Sequence, residues 1–497
     1  MQNFGNPQHG ICELLAPRWA TPSNISVAGF VRIRSFARRT RSLTISATCH
    51  AQRIAASQTN NGGARLGEGL RSIGRIGSLT LFVCLTCSIA HSEDWPRWGG
   101  PRGDGTWRGP AATQKLPEKW PEAGLPVVWR KEIGGGFGGI SVSDGRAFVM
   151  DRQPKPIERE RTLCFDADSG TVLWTDEYQV TYGKLDYGNG PRVTPTIHDG
   201  RVYTLGALGH LRCLDAATGK LNWSHDCVVE FEATIPMWGL AASPVIWHDF
   251  VIVHPGAKNG CVMAFDRLTG KEMWRVSDDP AGYGTPIIIA APSGPQLVQW
   301  TPEHILGIEP KSGKQLWRVP YKITYGVSIA TPIYQQEIVF IAGYWDGSKA
   351  IQLGKSATDA KLLWEDNRHL RGIMSQPLYR DGYVYLLDKQ YGLTCFELRT
   401  GKKLWDDDNK ATPRGRNPQA TLVWLTNEPD RALILNSEGD LILARINPSG
   451  YREQSRTRII DVTDTNPVWA HPAYAGTRVY ARNDKEIVCR RMGKSEE

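Results

Sequence analysis

The side chains best placed to hold a ligand stand just ahead of a recurring proline. Pro195, Pro244, Pro286, Pro332, Pro377 and Pro472 mark the pattern, and the residues before such turns include Asn189, Arg192, Trp238, Tyr283, Tyr325, Arg371, Ser375, Arg416, Asn417, Trp469 and His471. Aromatic faces and guanidinium groups that converge on one opening would suit a planar or anionic ligand, or an extended peptide. A structural alternative stands beside this: Trp238 and Trp469 pack between sheets, and the arginines satisfy backbone carbonyls. Other groupings carry less chemistry. Gly134, Gly136 and Gly139 spell G-x-G-x-x-G, but the strand-like I-S-V-S follows where a dinucleotide fold needs a helix N-terminus. Asp166 and Asp168 look like the start of a calcium loop, yet the same positions recur only as hairpin turns. No H-E-x-x-H, G-x-S-x-G, Walker loop or C-x-x-C-H is present, so neither a catalytic nor a metal-ligating residue is assigned.

The elements that must position these residues follow from a repeat. Leu211 to Trp223 reads L-R-C-L-D-A-A-T-G-K-L-N-W: an alternating strand, a turn built from Asp, Thr and Gly, and a returning strand that ends in a large aromatic. Copies end at Trp174, Trp274, Trp317, Trp364 and Trp405, with a weaker one at Tyr451. Starting from Trp129, the aromatics are 45, 49, 51, 43, 47, 41 and 46 residues apart. That period holds four short strands and their turns, one blade of a β-propeller. A β-sandwich with accidental similarity would not keep a glycine four residues before a tryptophan five times.

The ends set the number of blades. Trp129 sits in what looks like the last strand of a blade, and residues 472–490 look like the first three. Joined, they close the ring and leave no sheet edge open. The chain is therefore expected to be all-β, an eight-bladed propeller of four-stranded blades over 127–490, with Trp129, Trp174, Trp223, Trp274, Trp317, Trp364 and Trp405 docked between blades. Each recurring proline then opens an innermost strand, and the residues before it face one mouth of the central channel, where propellers usually bind ligands.

The formal charge of +8 resides in the leader: residues 1–90 hold ten Arg and two Glu, and the remaining 49 basic and 49 acidic residues cancel. The propeller has no net charge to argue for nucleic acid or an anionic membrane surface. Arg71 and Arg75 precede the apolar run L-T-L-F-V-C-L-T-C-S-I-A, too short to span a bilayer and suited to a signal-peptide core, with Ser88 and Ala90 placed for a cut before His91. This predicts a periplasmic or secreted protein with no transmembrane span after cleavage at Ala90–His91. Simple cleavage is preferred to a lipid anchor, since neither Cys84 nor Cys87 has the residues of a lipoprotein box before it. Residues 1–65 are read as a disordered leader and 66–90 as the signal peptide. The true start is expected near residues 66–70, an organelle transit peptide being the alternative, and 491–497 form a tail.

Six cysteines follow the signal. Cys164, Cys213 and Cys395 occupy one repeat position, and Cys489 takes it in the closing blade; equivalent sites in different blades are expected to lie too far apart for a disulfide. Cys227 and Cys261 leave a disulfide open in an oxidising compartment. Residues 91–126 are rich in Trp, Pro and Gly and are expected to lie across the propeller surface as an ordered strap covering Trp95, Trp98, Trp107 and Trp120.

The opening W-P-R-W-G-G-P, the G-N-G-P-R-V-T-P before Ile197, the W-G-L-A-A-S-P before Val245 and the repeated D-x-x-T-G-K-x-x-W together resemble the secreted PQQ-like β-propeller repeat family of planctomycete-type bacteria. The likeness covers residues 95–490. That family is related to quinoprotein alcohol dehydrogenases and to the outer-membrane assembly scaffold BamB, and so implies one of two functions. A quinoprotein dehydrogenase would use PQQ with calcium, a vicinal Cys-Cys pair over the quinone, and a Glu, Asn and Asp set around the metal. This chain has no adjacent cysteines, and about 407 residues from His91 leave little room for the insertions that wall such a site. The expectation is therefore a monomeric binding or scaffold propeller without catalysis or cofactor. Its partner would be a protein or an extracellular polymer, with sugar stacking favoured by exposed mouth aromatics and peptide addition by a bare sheet edge.

Overall fold

The last two strands of a blade form a hairpin whose turn, in three of the repeats, is fixed by one aspartate. Asp215 Oδ1 accepts the N–H groups of Ala217 (3.1 Å) and Thr218 (2.8 Å) and the Thr218 hydroxyl (2.7 Å), and Gly219 then takes φ +73°. Asp166 and Asp266 repeat the arrangement, so the apparent calcium loop at Asp166 is a turn. These donors hold the Asp215 carboxyl below its usual pKa, the Thr218 hydroxyl contributing most. Around the hairpins, a computed structural model describes residues 93–110, 116–415, 417–463 and 467–493. The leader, the signal-type segment and its cut at Ala90–His91 lie outside the described residues, as does Arg416.

Eight antiparallel sheets of the repeat form an eight-bladed β-propeller. Seven blades span 141–179, 196–226, 245–276, 287–320, 333–366, 378–406 and 420–458. The eighth combines Ala473–Ala475, Arg478–Arg482 and Glu486–Arg491 with Val127–Glu132, which pairs antiparallel to Glu486–Arg491 with Trp129 opposite Cys489. This pairing covers the outer edge of the last blade and closes the ring. Among the described residues, helix is confined to Cys227–Phe231, capped by the Asp226 carboxylate, and a 3₁₀ turn at Thr324–Gly326.

The motif tryptophans join the blades. Trp174 lies opposite Cys213's counterpart Cys164 in its own sheet, and its indole N–H crosses to the Ala216 carbonyl of the next blade at 3.1 Å. A Cβ on Gly219 would come within 2.6 Å of the Trp174 ring. The turn glycine therefore serves the preceding blade's tryptophan as well as its own backbone. Trp129, Trp223, Trp274 and Trp364 dock in the same way on Gly170, Gly270, Gly313 and Gly401, donating to Ala167, Arg267, Pro310 and Leu398. Small residues opposite each indole complete the site: Cys164, Cys213, Ala264, Gly307, Ala350, Cys395 and Cys489 all pair across the ladder with a docking tryptophan. Burial pushes these thiols up, Cys164 to about 12. Cys227 and Cys261 are likewise buried and free, so the disulfide left open for them does not form.

Two joints differ. Trp317 meets the degraded copy, which has Ala360 where the turn glycine would stand, and it donates instead to Gln296 Oε1 of its own blade at 2.7 Å. Trp364 and Trp405 are half-buried, not enclosed like the other five.

The strap does not lie across the outer surface. Trp95 bridges Val142, Pro96 accepts the N–H of Ile197, and Thr106–Trp107 pairs parallel to Ala420–Leu425, all on innermost strands. Residues 93–110 thus run inside the central channel, where Trp95 and Trp107 are fully buried against Tyr474. The apolar surface of these indoles is best hidden there, because the inner strand edges offer both packing and unpaired backbone groups. The later part turns outward, and Trp120 packs on blade seven with its N–H on Leu441 O at 3.1 Å.

Candidate functional site

The innermost strands start directly after Pro195, Pro244, Pro286, Pro332, Pro377 and Pro472. The loops before them gather at one mouth of the channel around a cavity of about 140 Å³. Of the residues singled out in the sequence, the structure brings Arg192, Trp238, Tyr283, Trp469 and His471 to this cavity. Trp98 of the strap lines it too, its ring 3.7 Å from that of His471 and its N–H on Thr331 Oγ1 at 2.9 Å. Beyond Trp98 the channel opens into a separate cavity of about 420 Å³, bordered by Arg97, Arg102 and Asp104 of the strap and the inner strands of blades three to five.

Tyr187 spans the mouth. It stands edge-on to Trp238 at 5.6 Å and to Trp469 at 5.4 Å, while its hydroxyl accepts Asn417 Nδ2 at 3.0 Å from the opposite side. Its φ of +65° is a left-handed conformation that costs an ordinary residue about 1–2 kcal/mol. The loop holding it is braced from beneath. Tyr178 and Tyr182 hydroxyls donate to the buried Glu160 carboxylate, which also accepts the Ala207 N–H at 3.1 Å. Asn189 accepts from Leu185 N at 3.0 Å and donates to Gly183 O at 2.9 Å, so it shapes this loop without lining the cavity.

Arg192 does part of what the structural alternative describes. Its guanidinium donates to the carbonyls of Asp186 (3.1 Å), Gly188 (2.8 Å) and Gly190 (2.6 Å) and lies 4.8 Å over the Phe137 ring. Burial lowers its pKa to about 10, and it makes no ion pair among the described residues. The two mouth tryptophans pack on the loops of neighbouring blades, as that alternative has it, and line the cavity as well. Trp238 packs on Tyr283 at 4.8 Å and Trp469 on Phe137 at 6.1 Å, both walls of the cavity, and neither indole N–H has an acceptor. Burial holds the His471 imidazole down at about 3 and raises the Tyr283 phenol to about 12, so both are neutral at ordinary pH.

Other expected positions lie elsewhere. Ser375 is buried and accepts the Ala420 N–H at 3.0 Å, joining blades six and seven. Ser243 links its neighbours in the same fashion, through Thr194 N and Thr285 Oγ1. Arg371 reaches Gln390 Oε1 at 2.9 Å and does not line the cavity, and Tyr325 is 72% exposed beside Trp345. The sequence reading missed Trp98, Phe137, Asp186, Tyr187, Thr285, Thr331 and Gln376. A signal existed for three of them: Thr285, Thr331 and Gln376 immediately precede the recurring proline, as His471 does.

A family model described as outer membrane protein assembly factor BamB matches residues 158–405 and 301–497. Among curated proteins, the BamB of Moranella endobia is 22% identical over 301 residues, covering 56% of this chain and 71% of that protein. The quinohemoprotein alcohol dehydrogenase ADH IIB of Pseudomonas putida is 29% identical over 234 residues, which is 44% of this chain but 31% of the dehydrogenase. In the solved BamB of Moraxella catarrhalis the fold recurs with a TM-score of 0.51 at 15% identity, over 75% of this chain and 99% of that one.

Proposed function

The chain belongs to the PQQ-like propeller family whose model is described as outer membrane protein assembly factor BamB, and from that footing we propose that it is a binding propeller, recognising its ligand or partner at the aromatic mouth without catalysis. The observation that carries this reading is the set of polar groups around the mouth cavity. Asp186 is its one carboxylate, exposed at the rim, and among the described residues no three His, Cys, Asp or Glu side chains stand together as a metal site would require. PQQ is a fused tricycle with three carboxylates. A cavity of about 140 Å³ is sized for one ring, and its single guanidinium already serves three carbonyls. All six described thiols are buried and none neighbours another in sequence. These residues do not fit PQQ with calcium. Burial under Trp98 keeps the His471 imidazole neutral.

Kinship with proteins named assembly factors supports a protein partner; an extracellular polymer is the other occupant consistent with an aromatic mouth. Export to the periplasm or beyond belongs to the same proposal, on the strength of the apolar run before His91, and no helix among the described residues is long and apolar enough to cross a membrane. The test is a titration of the full chain with PQQ and calcium, followed by tryptophan fluorescence and by dye-linked oxidation of alcohols and sugars. Neither saturable quenching nor turnover is expected. Calcium-dependent turnover, or micromolar quenching lost in Arg192→Ala, would overturn the reading.

A further inference from the structure

We propose that Tyr325, Trp345 and Lys389 form a surface platform for an acidic sugar unit, and that the polysaccharide carrying this unit runs on to the mouth. The second part rests on the mouth being the binding site; the platform is argued from its own geometry. In an antiparallel blade the second strand returns to the face where the first began, so the loops 343–347 and 389–391 share the mouth face with the entry loop 321–332. Two rings are held out into solvent there. Tyr325 is 72% exposed and Trp345 44%, their centroids 6.1 Å apart and edge-on. Tyr325 takes φ +58°, a left-handed backbone that favours glycine. Its turn is clamped from the next loop, where the Asp346 carboxylate accepts the Thr324 N–H at 2.7 Å and the Thr324 hydroxyl at 3.1 Å. Strained residues fixed by their surroundings cluster at binding sites.

The Lys389 ammonium stands 3.6 Å from the Trp345 ring centroid and 4.4 Å from that of Tyr344. It makes no ion pair among the described residues. Burial, and then the charge of Arg371, lower its pKa. The Asp388 carboxylate nearby is buried and accepts the backbone N–H groups of Arg371 (2.7 Å), Gln390 (2.7 Å) and Tyr391 (3.0 Å). From this platform a polar line leads inward: the Tyr344 hydroxyl donates to Asn417 Oδ1 at 3.4 Å, and Asn417 Nδ2 donates to the hydroxyl of Tyr187, itself 41% exposed across the mouth.

Exposed rings set among polar groups suit a sugar, whose C–H face packs on an aromatic face while its hydroxyls keep hydrogen bonds at the edge. A uronate adds a carboxylate to meet Lys389. A cationic ligand is opposed by Lys389, already over the Trp345 ring, and by Arg371 beside it. A protein partner needs about 800 Å² a side, whereas Tyr325 and Trp345 are the large apolar side chains left exposed in these loops.

The probe is the α-1,4 tetramer of galacturonate, titrated calorimetrically into the full chain beside its uncharged methyl ester and the positively charged glucosamine tetramer. The acid should bind saturably and about tenfold or more tighter than the ester, with the glucosamine tetramer weakest. Tyr325→Gly and Trp345→Ala should each weaken the acid about tenfold or more. Glycine relieves the left-handed backbone at 325, so loss of binding there is not loss of fold. Lys389→Gln should bring the acid down to the ester and leave the ester unchanged. Tyr187→Gly should weaken the tetramer and spare the corresponding dimer. Equal binding of acid and ester, tightest binding of the glucosamine tetramer, or acid binding untouched by both platform variants would overturn the acidic sugar. So would failure of all three sugars, including the case in which phosphatidylglycerol vesicles bind instead and Tyr325→Gly releases them. Acid binding lost in the platform variants but untouched by Tyr187→Gly would uphold the platform and count against the mouth as its continuation; loss in Tyr187→Gly alone would uphold the mouth and overturn the platform.

Discussion

Two sets of tryptophans occupy the propeller, one around its rim and one at its mouth, and they differ in how their indole nitrogens are treated. All seven rim indoles, from Trp129 to Trp405, donate to an acceptor in the protein. At the mouth, Trp238 and Trp469 donate to nothing. Five of the rim residues sit on left-handed glycines with no room for another atom, while mouth residues border a cavity. The contrast teaches that one residue type closes the ring by donating across a blade joint and, at Trp238 and Trp469, walls the mouth through its ring alone.

The contrast can be strained hardest at the rim. Trp174→Ala should cost about 3–5 kcal/mol, read as a clear fall in melting temperature, because it empties a joint between blades; a parent-like melt would deny the docking role. The next effect isolates the glycine. Gly200 and Gly219 have nearly equal φ, +69° and +73°, but only Gly219 lies against an indole. Gly200→Ala should cost about 1–2 kcal/mol for the left-handed backbone, and Gly219→Ala more, since Trp174 must also move. Equal losses in denaturant titrations would show that the ring contact contributes nothing.

A smaller effect concerns pH. His254 is fully buried, with Nδ1–H donating to Cys261 O (2.8 Å) and Nε2 accepting the Gly282 N–H (2.6 Å), so both nitrogens are committed in the neutral ring. Burial lowers its pKa from 6.5 to about 4. Between those values the unfolded chain binds the extra proton, so stability falls as pH drops from 6.5 towards 4 and the loss levels off below that. Urea midpoints for the parent and His254→Gln should converge on acidification. A gap that stays constant across this window would remove His254 from the acid response.

The repeat was legible because its chemistry is local. Asp215, Thr218 and Gly219 specify a turn, Trp223 ends the strand, and the period counts the blades. What each glycine touches was not legible, because Gly219 packs on a tryptophan 45 residues before it, in another blade. The mouth was half legible. Position before a recurring proline picked out Arg192, Trp238, Tyr283, Trp469 and His471, but the same rule admitted Ser375, which faces a neighbouring blade, and Tyr325, which faces solvent. Trp98 could not be found this way, since it enters the channel from a strap that has no repeat to place it.

The difference between the two sets is tested most directly by one series of thermal melts on Trp→Phe variants, each keeping a ring and losing the N–H. At the rim, Trp174→Phe leaves the Ala216 carbonyl unpaired and should lower stability by about 1–3 kcal/mol, while Trp129→Phe and Trp223→Phe remove one of several donors to Ala167 O and Arg267 O and should cost about 1 kcal/mol. At the mouth, Trp238→Phe and Trp469→Phe remove a donor that has no partner, and should melt at or slightly above the parent. Losses at the mouth as large as those at the rim would mean that Trp238 and Trp469 are structural residues, and would contradict the assignment of the mouth as the binding site.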